Sequence, residues 1–291
     1  MVKLLAERTP AKINLFLRVT GRRADGYHEL DSVLLPVSLA DHLKLELRTS
    51  DQASIVLRSS VPGLAAGDRN LAVRAAHAFM REFGVTAQVS IELEKNIPIA
   101  AGLGGGSSDA GAVLRMLAQL CRVATGDRLA RIALSIGADV PFFLDPQPVR
   151  VGGIGERITT LAGVPSFPLV IAAPPFEVST GSIFSVLRPE NWSGAAPEAD
   201  IAGIRDGRIS PALAVNDLSF AASAMFPEIA RLRSILDELG ARAAAMTGSG
   251  GAVFGVFHQS DDAECAGAAM RLRAPEARIF ACRTLASGGR I

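Results

Sequence analysis

A strand-like segment, a glycine-rich turn and an amphipathic helix follow one another over residues 87–120, and this succession constrains the chain more than any other feature. Val89, Ile91 and Leu93 alternate with polar neighbours, the period of a strand; Val113, Leu114, Leu117 and Leu120 recur at helical spacing after Asp109. Between them runs Pro98-Ile99-Ala100-Ala101-Gly102-Leu103-Gly104-Gly105-Gly106-Ser107-Ser108. Residues without a Cβ take positive φ and let a ligand approach the backbone, while the unpaired N–H groups of a first helical turn and the helix dipole attract an anion. The turn therefore suits phosphate, and the hydroxyls of Ser107 and Ser108 suit a further phosphate contact or a magnesium ion.

Two well-known phosphate loops do not match. A Walker loop needs lysine before its hydroxyl residue, where Gly106 stands, and a dinucleotide fingerprint needs glycine at position 107, which is serine. The competing structural reading is a flexible connector with Ser107 as a helix N-cap.

Composition bounds the rest. A chain of 291 residues, 49% of them hydrophobic, is long enough for two cored domains. Thirty basic against 29 acidic side chains leave a formal charge of +1, without the basic excess of a nucleic-acid binder or a membrane-surface protein. The first residues lack a continuous apolar run and the later apolar runs are short, so neither secretion nor membrane spanning is expected. Cys121, Cys265 and Cys282 are far apart and form no C-x-x-C, which fits reduced thiols in a cytoplasm. His28, His42, His77 and His258 show no metal-ligand spacing; His77 and Cys121 fall in helical patterns as packing or surface residues.

The first third reads as sheet, with Ile13, Leu15, Leu17 and Val19 alternating, then Leu43, Leu45 and Leu47, then Ile55 and Leu57. Asn70 is placed to cap a helix ending at Gly84, and Asp127 to cap one over 128–136 ended by Gly137, which leaves Asp139 in the turn behind it. Residues 145–155, with two prolines and three glycines, form the best junction. Beyond it a buried strand is expected over 167–173, a polar surface loop over 187–211, a helix from Pro227 closed by Gly240, a strand over 252–257, a helix over 261–272 and a strand over 278–285. The order predicts an α+β fold with helices on a mostly antiparallel sheet.

Four segments together resemble the GHMP kinases: Pro10-Ala11-Lys12-Ile13-Asn14-Leu15, the glycine-rich turn, Gly137-Ala138-Asp139-Val140-Pro141 and Thr247-Gly248-Ser249-Gly250-Gly251. Within that family, Arg23-Ala24-Asp25-Gly26-Tyr27-His28-Glu29-Leu30 is similar to the signature of the branch whose acceptor is a cytidine diphosphate conjugate of methylerythritol. Two departures are Ser219, where relatives often carry glutamate after Asn216-Asp217-Leu218, and Gly251, often a larger residue.

The resemblance implies a ribosomal-protein-S5-like, ATP-binding N-terminal domain over 1–155 and a ferredoxin-like C-terminal domain over 156–291, the last strand returning to the first domain. It implies magnesium ATP as phosphoryl donor to the 2-hydroxyl of the acceptor, in an isoprenoid-precursor route independent of mevalonate, and a monomer or homodimer. Asp139 matches the family's catalytic aspartate and Lys12 its cationic partner; on the residues alone, a helix-end cap and a solvated strand lysine are the alternatives. The glycine-rich turn, residues 98–108, would hold ATP, with Asn70 near the adenine unless it only caps its helix. Tyr27 and Phe184 would sandwich the cytosine, the backbone at His28 would read its edge, and Asn14 and Thr180 would lie near the diphosphate or polyol; Phe184 as a plain core residue is the alternative.

Overall fold

The computed structural model describes residues 2–64 and 69–289 and divides by packing into two compact units. The first comprises Met1–Ala11, Ala40–Ile97 and Gly104–Pro146; the second comprises Lys12–Leu39, Pro98–Leu103 and Gln147–Ile291. Strands β1 (Val2–Arg22) and β2 (His28–Thr49) are long enough to contribute to both.

In the first unit β3 (Ser54–Ser59) lies parallel to β4 (Ala87–Glu94), pairing Ile55 with Val89, and the second half of β2 lies antiparallel to β4, pairing Leu45 with Ile91. Alternation decides which face is covered: Ala87, Val89, Ile91 and Leu93 are buried, Gln88, Glu92 and Glu94 exposed. The covering helices are α1 (Leu71–Phe83), α2 (Gly105–Cys121) and α3 (Gly126–Ile136), whose Phe79, Leu114, Leu117 and Ile132 join Leu45 and Ile91 in one core. Helix α2 is buried along most of its length, as its apolar sequence requires. Gly111 lets the 3₁₀ turn Phe142–Leu144 settle against it, since a Cβ there would stand 2.7 Å from the Cβ of Phe143.

In the second unit the first half of β2 pairs antiparallel with β5 (Val149–Gly153), which forms a hairpin with β6 (Arg157–Thr160). A separate antiparallel sheet contains β7 (Pro168–Ala173), β8 (Ala243–Met246), β9 (Val253–Val256) and β10 (Arg278–Arg283) in the order β10-β7-β9-β8. Between β7 and β8 come α4 (Thr180–Ser185), α5 (Glu198–Arg205), α6 (Ser219–Met225) and α7 (Pro227–Glu238); α8 (Ser260–Arg273) joins β9 to β10. With α7 and α8 packed on it, this sheet has the strand order of a ferredoxin-like fold. Its core gathers Val170, Leu232, Leu236, Val253 and Met270.

Three local expectations are corrected. Residues 187–211 are not a plain surface loop: Ile201 and Ile204, one turn apart, are buried by α5. Helix α3 starts at Gly126 with Thr125 before it, so Asp127 sits inside the first turn, where its charge meets the helix dipole, and does not cap it. Helix α2 begins at Gly105, which places Ser107 within the helix and removes the N-cap reading.

Candidate functional site

The glycine-rich turn reaches α2 through three left-handed residues, Ala100 at φ 52°, Gly102 at 76° and Gly104 at 71°. Positive φ thus falls on Gly102 and Gly104, whereas Gly105 is already helical. Gly104 is the N-cap and offers no side-chain acceptor, so the amides of the first turn of α2 keep their capacity for an anion. Ser107 is half-buried; Ser108 is buried, and its Oγ has no hydrogen-bond partner among the described residues. Within the second unit, the first half of the turn is tied down by Ala252 N donating to Ala101 O at 3.1 Å and Lys12 N donating to Leu103 O at 3.0 Å. Pro98, Ala101 and Leu103 are buried and Ile99 is exposed.

Gly102 is the tightest point. A Cβ there would lie 2.3 Å from the carbonyl oxygen of Thr247, on a backbone that already favours glycine. Gly102→Ala is therefore expected to cost about 2 to 4 kcal/mol of stability. Gly106→Ala, whose Cβ meets only Leu71 Cδ1 at 3.7 Å, should leave the denaturation midpoint near that of the wild type. Equal midpoints for the two variants would contradict this packing.

Lys12 is not a solvated strand lysine: only 3% of it is exposed, and its Nζ donates to Asn14 Oδ1 at 2.6 Å. The same Oδ1 accepts from Gly248 N at 3.0 Å, Asn14 N donates to Thr247 Oγ1 at 2.9 Å, and Asn14 Nδ2 donates to Ser32 Oγ at 2.8 Å. Asn216, absent from the sequence-based site, spends its Nδ2 on Met246 O and Gly248 O, each at 2.8 Å. The Thr247-Gly248 turn is thus fixed from two sides, and Asn14 organises this polar knot. Gly251 closes the same loop against Pro174, whose Cγ would stand 2.9 Å from a Cβ, so a larger side chain has no room here.

A second buried knot lies in the first unit. Lys95 Nζ donates to Asp109 Oδ2 at 2.8 Å and to Asp41; Thr9 Oγ1 donates to Asp109 Oδ1 at 2.8 Å, and Asp41 Oδ1 accepts from Asn96 N at 2.5 Å and Ile97 N at 2.8 Å. Burial pushes the Asp109 carboxyl up to about 6 against the pull of Lys95, because one ammonium serves two carboxylates. Burial alone would lower Lys95; Asp109 and Asp41 together raise it. The signal in the sequence is Asp109, the one acidic residue of α2, a turn before Val113.

Tyr27 is 61% exposed on the turn after β1, where Arg23 N donates to Tyr27 O at 2.7 Å and Tyr27 N to Asp25 Oδ1 at 3.2 Å. The His28 ring lies 5.2 Å from that of half-buried Phe184. Burial, and then the charge of Arg22, hold the His28 imidazole below its ordinary value. Thr180, at the start of α4, shares a 2.7 Å hydrogen bond with Ser249. Asn70 Oδ1 accepts from Ala72 N at 2.9 Å and caps α1. Asp139 is half-buried in the turn between α3 and the Phe142–Leu144 turn. The second unit thus assembles Lys12, Asn14, Gly102 and Gly248, and places His28 against Phe184; Asn70, Ser107, Ser108 and Asp139 belong to the first unit. Among the described residues no cluster of three acidic, histidine or cysteine side chains is arranged for a metal, and no helix is long and apolar enough to cross a membrane.

Residues 70–145 match the family model of the GHMP kinases N terminal domain, and residues 204–275 that of the GHMP kinases C terminal. A 4-diphosphocytidyl-2-C-methyl-D-erythritol kinase of Anaeromyxobacter dehalogenans is 44% identical over 93% of this chain and 86% of its own length, and one of Mesorhizobium japonicum is 40% identical over 95% of each. A crystal structure of 4-(cytidine 5′-diphospho)-2C-methyl-D-erythritol kinase superposes with a TM-score of 0.83 at 38% identity, over 98% of this chain and all of that one. The chain belongs to the GHMP kinases, and within them to the family of the 4-diphosphocytidyl-2-C-methyl-D-erythritol kinases. At 14% identity, L. major mevalonate kinase, TM-score 0.77, shares the fold.

Proposed function

We propose that the protein transfers the γ-phosphoryl group of ATP to the 2-hydroxyl of 4-diphosphocytidyl-2-C-methyl-D-erythritol, a step toward isoprenoid precursors that bypasses mevalonate and takes place in the cytoplasm. The observation that carries this reading is the level of identity: 44% with an enzyme of that name against 19% with a homoserine kinase and 14% with a mevalonate kinase of the same fold. The test is an acceptor panel. With magnesium ATP, ADP should form with the cytidine acceptor and not with mevalonate or homoserine; ADP release with either of those in preference would overturn the assignment.

Phosphoryl transfer asks for positioning and charge neutralisation more than for covalent chemistry. The turn over residues 98–108 and the first amides of α2 would cradle the triphosphate, with Asn70 near the adenine. Magnesium fits this chain as an ion carried in on the phosphates, because it prefers oxygen and retained water, and the unpartnered Oγ of Ser108, with Ser107 beside it, is the protein donor that suits it. Bound there, the ion would neutralise charge on the transferred group. Asp139 would accept the proton of the 2-hydroxyl, and Lys12, fixed by Asn14, would offset negative charge as the phosphoryl group moves. Thr180 and Asn14 would border the diphosphate or polyol.

Tyr27 offers a free aromatic face, which a stacking residue needs, and Phe184 the opposing one; the His28 backbone would read the cytosine edge. Tyr27→Ala should raise the KM for the acceptor on the order of 5- to 150-fold, the equivalent of roughly 1 to 3 kcal/mol of base stacking. ATP binding should stay unchanged, and Tyr27→Phe should be mild. Acceptor KM values equal in all three proteins at matched Tm would leave the cytidine assignment without its physical support.

A further inference from the structure

The segment after the 3₁₀ turn Pro189–Asn191 is held by two buried carboxylates. Asp217, 6% exposed, accepts from Ser193 N at 2.9 Å, Ser193 Oγ at 2.5 Å and Val19 N at 2.7 Å. Asp31, also 6% exposed, accepts from Ala196 N at 2.7 Å and is paired with Arg150 Nε at 2.7 Å and Nη2 at 2.8 Å. Gly194 N adds a bond to Val19 O at 3.2 Å. Charge-assisted bonds of this kind are the strong ones, and burying carboxylates is costly unless each acceptor is used. A polar surface loop has no need of two such anchors. Their effect is to fix the residue at the head of the segment, Trp192, the chain's one tryptophan.

The Trp192 ring stands 6.1 Å from that of His28 at 85°, an edge-to-face pair, so the imidazole packs near both Phe184 and Trp192. The indole N–H is shielded from solvent and has no acceptor among the described residues. His28 follows Tyr27 directly, so whatever fixes the imidazole also fixes the chain that carries the exposed tyrosine face. We propose that Trp192, anchored through Asp31 and Asp217, is a positioning residue for the base-binding end of the acceptor site, acting through His28. The proposal rests on the functional reading above. It assigns specificity for the base to a residue that touches neither the reacting hydroxyl nor ATP.

Because Trp192 is the chain's one tryptophan, intrinsic emission reports on it directly. Titration of the wild-type protein with cytidine 5′-diphosphate should change the tryptophan emission saturably, and titration with ADP should not. Trp192→Ala should raise the acceptor KM about 2- to 12-fold, the range of an aromatic pair, with kcat and the KM for ATP unchanged; Trp192→Phe should restore most of the loss. Emission indifferent to saturating cytidine diphosphate, or an unchanged acceptor KM in Trp192→Ala at wild-type Tm, would overturn the proposal. If Trp192→Ala fails to fold, the wild-type titration decides. Wild-type protein that phosphorylates the cytidine acceptor yet shows no emission change defeats the role of Trp192 alone; wild-type protein that does not phosphorylate it defeats the functional reading and this proposal with it.

Discussion

Asp139→Asn is expected to fold, to bind ATP, and to lose about 10²- to 10⁴-fold in kcat, the usual contribution of a general base. The amide matches the carboxylate in shape and occupies the same half-buried turn between α3 and the Phe142–Leu144 turn, so packing is preserved. What it lacks is a site for the proton leaving the acceptor hydroxyl. The KM for ATP should move little, because the proposed nucleotide contacts lie in other residues. A folded Asp139→Asn protein with near wild-type kcat would remove Asp139 from the role of base.

Lys12→Ala should lower kcat by about 10²- to 10³-fold, as for other fixed donors facing charge that develops in the transition state. Its burial complicates the variant: with 3% exposure and a 2.6 Å bond to Asn14, truncation leaves a void and an acceptor short of one donor. Lys12→Met separates the two effects. It restores most of the volume, and Asn14 Oδ1 keeps the 3.0 Å bond from Gly248 N. Thermal stability should therefore recover in Lys12→Met while kcat stays low. Recovery of both would assign Lys12 to packing. In the Lys12→Ala/Asp139→Asn double variant, a loss smaller than the product of the single losses would mean that the two act on one transition state, and a multiplicative loss that their roles are independent.

How much of this was legible in the sequence varies with the physical scale of each signal. Alternation at 89, 91 and 93, and the helical spacing of Leu114 and Leu117, follow from burial on one face, so the elements around the glycine-rich turn were readable. The cap at Asn70 was readable because it is a contact across two residues. Strand β8, Ala243–Met246, gave no signal because three alanines and a methionine carry neither period nor β-branching. Helix α5 was missed because its apolar pair, Ile201 and Ile204, sits among glycine, proline and charge. Within the site, the family motifs singled out Lys12, Asn14 and the Thr247-Gly248 turn, but not that Asn14 would bond to Lys12 and Gly248 at once. That fact depends on residues more than two hundred positions apart. Asp109 likewise takes Thr9 from 100 positions away and Asp217 takes Val19 from 198: buried carboxylates choose their partners through the tertiary fold. The lysine at position 12 shows the limit most plainly, since its strand pattern alone fits a solvated side chain and only the folded chain buries it.

The most direct test of the account is the position of the new phosphate. The wild-type protein is incubated with magnesium ATP and 4-diphosphocytidyl-2-C-methyl-D-erythritol, and the product is examined by ³¹P and ¹³C NMR. The account predicts one ADP released for each new phosphomonoester, with the phosphorus coupled to the 2-position of the methylerythritol moiety and the cytidine diphosphate intact. Phosphate at another hydroxyl, or no ADP above the rate without acceptor, would contradict it.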